Sequence, residues 1–440
     1  MDRRKHIFIL AWSIFIILAV LNLLTVFTPE IGFDALWYHL TLPKLWLMKK
    51  QWYFPGGLLY YSAMPRLAET VFIPLIAITG SIGPKFVQFA SGLGTAFLTY
   101  KVARLIKINS YYSSLAAFSF YITWLVSWQS GSAYIDLIRT FLEIFSLWCL
   151  FRGQWIKGGM LLGLAIGTKW LSLGSLFIYA LVFGPRIIFP ALFVASPWFY
   201  LAFRFTLNPI YPLFEPFLSH TLPAVKAIII RLFLSPLYLT KPVDDFLTPL
   251  SGVFFILCLF SFFRFSGKPR KIAAIGILGT FFSLLPNPPS SRFFLPYLPV
   301  VVISAFYFLS HQSNQVKRAF QYLLVLSFLL ILSLRLIAFK KYTPYLLGLE
   351  TQNQFLTRVS ANLPDTFIDS DSFIKDNLKG KKILIDKLHN LYYFPYDFDH
   401  TSWVQDYHRY DYLVTSAEMN NQGWELVHIN QAGIRVYKIK

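Results

Sequence analysis

Long apolar runs, each closed by a basic or a Pro/Gly-rich break, constrain this chain more than any other feature. An α-helix rises about 1.5 Å per residue, so about 20 apolar residues cross a bilayer core of about 30 Å. Of 440 residues, 56% are hydrophobic and only 14% are charged. A soluble domain has no interior large enough for that much apolar surface, so the class is a polytopic membrane protein.

Runs at 7–27, 84–103, 112–129, 134–151, 158–168, 172–184, 187–203, 247–263, 272–285, 294–310 and 319–338 predict about eleven transmembrane helices. The first follows the basic start Met1-Asp2-Arg3-Arg4-Lys5-His6 and is followed by no Ala-x-Ala-like cleavage site. It reads as an uncleaved first span with its basic end in the cytoplasm. From that start the cytoplasmic turns become Lys101/Arg104/Lys107, Arg152/Lys157, Arg186, Arg264/Lys268/Arg270/Lys271 and Lys317/Arg318. All are basic and none carries Asp or Glu, as topology by positive charge requires. The agreement depends on reading 66–80, a short run with Glu69 and Pro74, as a helix at the outer surface.

This topology predicts a membrane domain over 1–339 with outer loops at 28–83 and 204–246. Segments 130–134 and 286–293 and the tail from 340 also fall outside. The tail changes composition, with Asp365, Asp369, Asp371 and Asp376 in one short stretch. β-rich runs at 382–385, 412–415 and 434–439 alternate with helical patterns at 351–361 and 370–378, predicting a small extracytoplasmic α/β domain over 340–440. The fold class is therefore an all-α polytopic membrane domain with a small α/β domain at its C-terminus.

The formal net charge is +19, but Lys and Arg are scattered over helix ends, so nucleic acid is not a partner. An anionic lipid substrate would account for the excess on the outer face. Cys149 and Cys258 lie in apolar runs and form no disulfide framework. No Gly-rich nucleotide loop, zinc spacing or GxSxG elbow is present.

The chemistry concentrates at the outer ends of the spans. Asp34, Tyr38, His39 and Lys44 fall together in Gly32-Phe33-Asp34-Ala35-Leu36-Trp37-Tyr38-His39-Leu40-Thr41-Leu42-Pro43-Lys44, just past the first run. A span alone needs none of these groups, and ionisable residues at a membrane boundary tend to face a cavity or pathway. Lys49 and Lys50 in the same loop are open to simple snorkelling toward headgroups. Asp136, Arg139, Thr140 and Glu143 share one helical face, which is either an internal Asp136–Arg139 ion pair or a carboxylate facing the cavity mouth. Lys169 in Gly167-Thr168-Lys169-Trp170 and Arg292 in Ser291-Arg292-Phe293-Phe294-Leu295-Pro296 hold similar outer positions. Each is either a helix-end cation or a counter-charge for phosphate. The aromatic segment Asn208-Pro209-Ile210-Tyr211-Pro212 reads as an interfacial belt or a sugar-stacking face.

Taken in order, these segments resemble the GT-C superfamily of integral-membrane glycosyltransferases. The resemblance is to the bacterial branch related to protein O-mannosyltransferases and aminoarabinose transferases. Phe33-Asp34 through Pro43-Lys44 resembles the family's first outer loop, Tyr134-Ile135-Asp136-Leu137 its second acidic loop, and Gly167-Thr168-Lys169 its Thr-Lys turn. Pro197-Trp198 with Asn208–Pro212 and Ser291–Pro296 resemble later elements.

The resemblance implies a polyprenyl-phosphate sugar donor and an extracytoplasmic glycan, lipid or protein acceptor, with the protein multi-pass in the cytoplasmic (inner) membrane among its lipids. It implies Asp34 as general base with inversion at the anomeric carbon. Tyr38 and His39 would contact substrate, while Lys44, Lys169 and Arg292 would face the leaving phosphate. Asp136 would orient the acceptor or share a divalent metal, Mg2+ or Mn2+, with Asp34; no cofactor is otherwise required. The first loop has no Asp-Glu pair after Phe33, which argues against a two-carboxylate metal site there and against a protein O-mannosyltransferase proper. The alternative of a secondary transporter would show paired repeats and broken helices with midplane charges, whereas the charges here cluster toward the outer ends and no repeat is present. A non-catalytic scaffold presenting the tail would make Asp34 and Asp136 replaceable.

Overall fold

Each apolar run read as a span lies on helix in the computed structural model, which describes residues 3–213, 215, 225–240, 250–286, 289–360, 363, 365–419 and 423–439. The parts of the predicted loops 204–246 and 286–293 and of the run 247–263 that fall in 216–224, 241–249 and 287–288 lie outside the described residues. In chain order α1 (Arg3–Val26) precedes the shorter α2 (Thr41–Lys49) and α3 (Leu67–Thr79), and α4 (Ile82–Leu105) follows.

The run at 112–129 is two helices, α5 (Ser110–Tyr121) and α6 (Trp124–Gln129). Thr123 between them is extended, and its hydroxyl donates to the Ser119 carbonyl at 2.9 Å, replacing the amide that the break removes. Then come α7 (Asp136–Phe151), α8 (Trp155–Thr168), α9 (Ser172–Phe183), α10 (Ile188–Thr206), α11 (Val225–Phe233) and α12 (Ser235–Thr240). The helical series closes with α13 (Ser251–Arg264), α14 (Gly267–Ser283), α15 (Ser291–Phe294), α16 (Leu298–Ser310) and α17 (Asn314–Phe339). Among the described residues, Arg4–Val26, Pro185–Thr206 and Asn314–Leu346 are long and apolar enough to cross a membrane, and shorter apolar helices accompany them.

The chain divides into two compact units. The first comprises Met1–Leu24, Phe86–Gly131 and Ile135–Phe339. Its helices pack around one apolar core and turn large side chains outward, among them Trp12 and Ile16 on α1, Phe189 and Phe193 on α10, and Leu326 on α17. Apolar surface of that extent belongs against lipid. Gly159 and Gly163 let α8 close on α10: a Cβ at Gly163 would lie 2.4 Å from the Ala191 carbonyl, and one at Gly159 2.5 Å from Pro190. Small residues four apart permit such backbone approach between membrane helices.

The second unit comprises Thr25–Lys85, Ser132–Tyr134 and Lys340–Lys440. Its tail carries α18 (Thr343–Leu346), α19 (Gln352–Ser360) and α20 (Phe373–Asn377), then β1 (Ile383–Asp386), β2 (Asp399–His400), β3 (Tyr412–Thr415), β4 (Trp424–Ile429) and β5 (Arg435–Ile439). The mixed sheet has the order β2-β1-β3-β5-β4, with β1 parallel to β2 and β3, and β5 antiparallel to β3 and β4.

Because strand side chains alternate, the two faces of the sheet have different neighbours. Ile383, Ile385, Val414 and Val436 share a core with Tyr38, Leu42, Leu45 and Trp46 of the first loop and α2. Leu384, Leu413 and Tyr437 pack with Val404 and Tyr410. The tail sheet is thus completed by a segment more than three hundred residues earlier. At the start of this unit the buried Lys85 ammonium donates to the carbonyls of Thr25 and Thr28 at 2.7 and 2.8 Å, satisfying the end of α1.

Candidate active site

In the second unit the loop after α1 is fixed by Glu30. Its buried carboxylate accepts from the amides of Ile31 (2.9 Å), Gly32 (2.7 Å) and Ala133 (2.6 Å) and from the Ser132 hydroxyl (2.8 Å). Four donors offset the cost of burying one anion. Gly32 is dictated by the close approach, since a Cβ there would lie 2.6 Å from the Tyr134 ring and 2.7 Å from Ser132 Oγ. The next anchor is the Asp34 amide, which donates to the Tyr134 hydroxyl at 3.4 Å.

Asp34 then opens a widened turn over Ala35–His39, closed by the Leu40 amide on the Ala35 carbonyl at 2.9 Å, one residue further back than in an α-helix. Widened turns of this kind are frequent at functional sites. Tyr38 donates its hydroxyl to Asp34 Oδ2 at 3.2 Å. His39 places Nδ1 2.6 Å from Glu69 Oε1, and Arg66 Nη1 donates to the same oxygen at 3.2 Å. Burial opposes ionising Glu69, but Arg66 and the His39 hydrogen bond outweigh it and hold the carboxyl below its usual range. Tyr38 also stacks on Tyr61 at 4.2 Å between centroids, and Tyr60 stacks on Tyr61 at 4.1 Å.

Lys44 points elsewhere. Its ammonium donates to the carbonyls of Tyr392 and Phe394, both at 2.7 Å, and burial lowers its pKa to about 8. Lys49, which the sequence left open to snorkelling, lies 3.4 Å from Asp397 and 3.6 Å from Asp399. Both lysines therefore tie the loop to the tail of the same unit.

The first unit holds Asp136, Lys169 and Arg292. All four residues of the predicted stripe, Asp136, Arg139, Thr140 and Glu143, are buried on α7. The pairing differs from the alternative of an Asp136–Arg139 salt bridge. Arg139 Nε donates to Glu143 Oε1 at 2.8 Å and to Ser172 Oγ at 3.0 Å. Ser172 and Ser175 also donate to the Glu143 carboxylate, at 2.7 and 2.5 Å.

Asp136 instead receives Lys169 Nζ at 2.7 Å on Oδ1 and Gln129 Nε2 at 3.1 Å on Oδ2. Lys169 reaches it because the chain turns extended directly after α8. Burial pulls its ammonium below the usual lysine range, Asp136 opposes the shift, and the Arg292 guanidinium adds to it. Lys169 also lies 5.9 Å from the centre of the Phe293 ring, so this turn and α15 present two cations to one locality.

Asp34, Tyr38, His39 and Lys44 thus belong to one unit, and Asp136, Lys169 and Arg292 to the other. Among the described residues no group of three or more His, Cys, Asp or Glu side chains is placed to hold a metal. Sequence reasoning missed Glu30, Gln129 and the grouping of His39 with Arg66 and Glu69. Glu69 did carry a signal, as the one acid in the apolar run 67–79, with Arg66 three residues before it.

No family model and no curated protein sequence matches the chain. Solved structures do match its fold. ArnT from Cupriavidus metallidurans bound to undecaprenyl phosphate aligns with a TM-score of 0.67 at 13% identity, over 98% of this chain and 97% of that one. The same protein in the apo state gives 0.65 over 97% of each chain. The Archaeoglobus fulgidus oligosaccharyltransferase in complex with Zn and sulfate gives 0.53 at 13% identity, over 91% of this chain and 67% of that chain. These neighbours are GT-C glycosyltransferases, and the resemblance drawn from the short motifs holds at the level of the fold.

Proposed function

We propose that this chain is a membrane glycosyltransferase that moves a pentose or hexose from a polyprenyl-phosphate donor to an extracytoplasmic glycan, lipid or protein. One observation carries the reading: the fold matches ArnT bound to undecaprenyl phosphate over nearly the whole of both chains. The polar residues of each unit have the chemistry such a reaction needs.

Asp34 is the base. It takes the proton of the acceptor hydroxyl as that oxygen attacks the anomeric carbon, and Tyr38 orients its carboxylate by hydrogen bonding. The bond from the anomeric carbon to the phosphate oxygen breaks on the opposite face, inverting the centre and releasing polyprenyl phosphate. Lys169 and Arg292 neutralise the charge gathering on that leaving group, and Asp136 holds the Lys169 ammonium in place. Lys44, engaged by two backbone carbonyls, serves as a tether rather than a phosphate contact. The N-terminus lies in the cytoplasm, and the tail stands outside the cytoplasmic membrane.

The test is purification in mild detergent followed by mass spectrometry of co-purifying lipid, then transfer assays with a panel of undecaprenyl-phosphate-linked pentoses and hexoses. Retention of a polyprenyl phosphate and its release from one of these donors are expected. Absence of both polyprenyl lipid and donor turnover would remove the reading.

A further inference from the structure

One deeply buried ionic cluster of the second unit takes no part in the proposed proton transfer. Side-chain packing leaves Glu69 0%, His39 2% and Arg66 4% exposed. Burying three such groups costs desolvation, and well-packed apolar side chains of similar volume are often as stable or more so. Holding α3 in place is therefore a weak reason for the cluster to exist. Its geometry supplies a stronger one.

His39 ends the widened turn that Asp34 begins, and Tyr38 stands between them. The Tyr38 ring is held from three directions. The His39 ring lies at 4.2 Å, Tyr61 stacks at 4.2 Å, and the Arg66 guanidinium sits 5.9 Å from the ring centre. Glu69 binds two of those three supports, His39 at 2.6 Å and Arg66 at 3.2 Å. We propose that Glu69 is a positioning residue: through His39 and Arg66 it fixes the turn Ala35–His39 and holds the Tyr38 hydroxyl against the Asp34 carboxylate. A carboxylate only accepts hydrogen bonds, so Glu69 also sets His39 Nδ1 as the protonated nitrogen. An error of about 1 Å in the placement of a catalytic group can cost about a hundredfold in rate. Loss of this support should therefore lower turnover more than binding.

The inference rests on the glycosyl-transfer reading for its kinetic test, and a second measurement is independent of it. The full-length protein in lipid vesicles is assayed with undecaprenyl-phosphate-linked pentoses and hexoses by release of undecaprenyl phosphate. His39→Phe keeps a ring and leaves the Arg66–Glu69 pair intact. It is expected to lower kcat about ten- to a hundredfold with the donor KM within about twofold. Combining it with Tyr38→Phe should cost little more than the worse single change, because the two act through one hydroxyl. Unchanged kcat in His39→Phe, or losses that multiply in the double variant, overturns the proposal.

Glu69→Gln leaves Arg66 buried without its counter-charge, so His39→Phe decides if that variant fails to fold. Hydrogen exchange needs no substrate. Faster exchange of the Leu36–Leu40 amides in His39→Phe is expected, and wild-type protection there overturns the positioning role. A wild-type protein that retains no polyprenyl lipid and turns over none of the donors removes the glycosyl-transfer reading and leaves the exchange measurement to judge this one.

Discussion

Asp136 takes its cation from Lys169, 33 residues later and 2.7 Å away, although Arg139 stands one turn along the same helix. Arg139 donates to Glu143 and Ser172, so two adjacent acid–base pairs share one face of α7. This pairing changes what substitutions at either residue should do.

Lys169→Ala should lower both activity and stability. The Asp136 side chain is 1% exposed, and breaking a buried pair by removing one partner costs about 3–5 kcal/mol. Asp136→Asn combined with Lys169→Met removes both charges, so thermal unfolding should return toward wild type while sugar transfer stays lost. A double variant that recovers activity along with stability would show that the pair is structural only.

Asp34→Asn keeps the shape of the side chain and removes its basicity, so transfer should fall by about 100- to 10,000-fold. Polyprenyl lipid should still co-purify with the variant. Tyr38→Phe removes the 3.2 Å hydrogen bond and should cost about ten- to a hundredfold in kcat, the worth of one hydrogen bond to a charged group. Single-turnover measurements separate these effects from product release, and an Asp34→Asn enzyme with near-normal chemistry would reassign the base.

The tail should be acid-labile because of His400. Burial first, and then the nearby His389, lower its pKa to about 4 despite the opposing pull of Asp386. The native state therefore keeps His400 neutral below pH 6.5, whereas the unfolded chain takes a proton there. Stability is fully present above about pH 6.5 and is lost as pH falls through the window to about 4, by about 3 kcal/mol in all. Amide exchange in β1 and β3 should accelerate across that window in the wild type, and His400→Phe should flatten the dependence. A wild-type profile already flat from pH 7 to 4 would count against a buried neutral imidazole.

Lys44 should titrate near pH 8 rather than above 10. With its folded pKa lowered, the native state gives up a proton that the unfolded chain keeps, so stability rises as pH increases from about 8 to about 10.5. The neutral amine still has two N–H groups for its two carbonyl partners, so the contacts with Tyr392 and Phe394 survive the change. NMR of protein labelled with 13C-lysine would follow the midpoint through the Lys44 Cε shift. Lys44→Met should speed exchange at 390–396 with little effect on donor KM; a large KM effect would restore a phosphate role.

Several parts of this molecule were legible locally. The helices follow from apolar runs with breaks, and β1, β3 and β5 fall on the β-rich runs at 382–385, 412–415 and 434–439. β2 has only two residues and β4 exposes much of its length, so neither carries the alternating apolar pattern by which a strand is recognised. The break at Thr123 was missed because the apolar composition runs through it without interruption.

By itself the sequence determined the class of the protein and the positions of its rare polar groups. Apolar composition, helical period and isolated charges are local properties, and each can be read within about twenty residues. Only the tertiary structure decided which groups meet: Asp136 with Lys169, Glu69 with His39, and Lys44 with the tail backbone. It also joined the tail sheet to α2 in one core. Such partners lie tens to hundreds of residues apart, where no periodicity links them. They are selected by reach and by the need to satisfy every buried charge and hydrogen-bonding group in a close-packed interior.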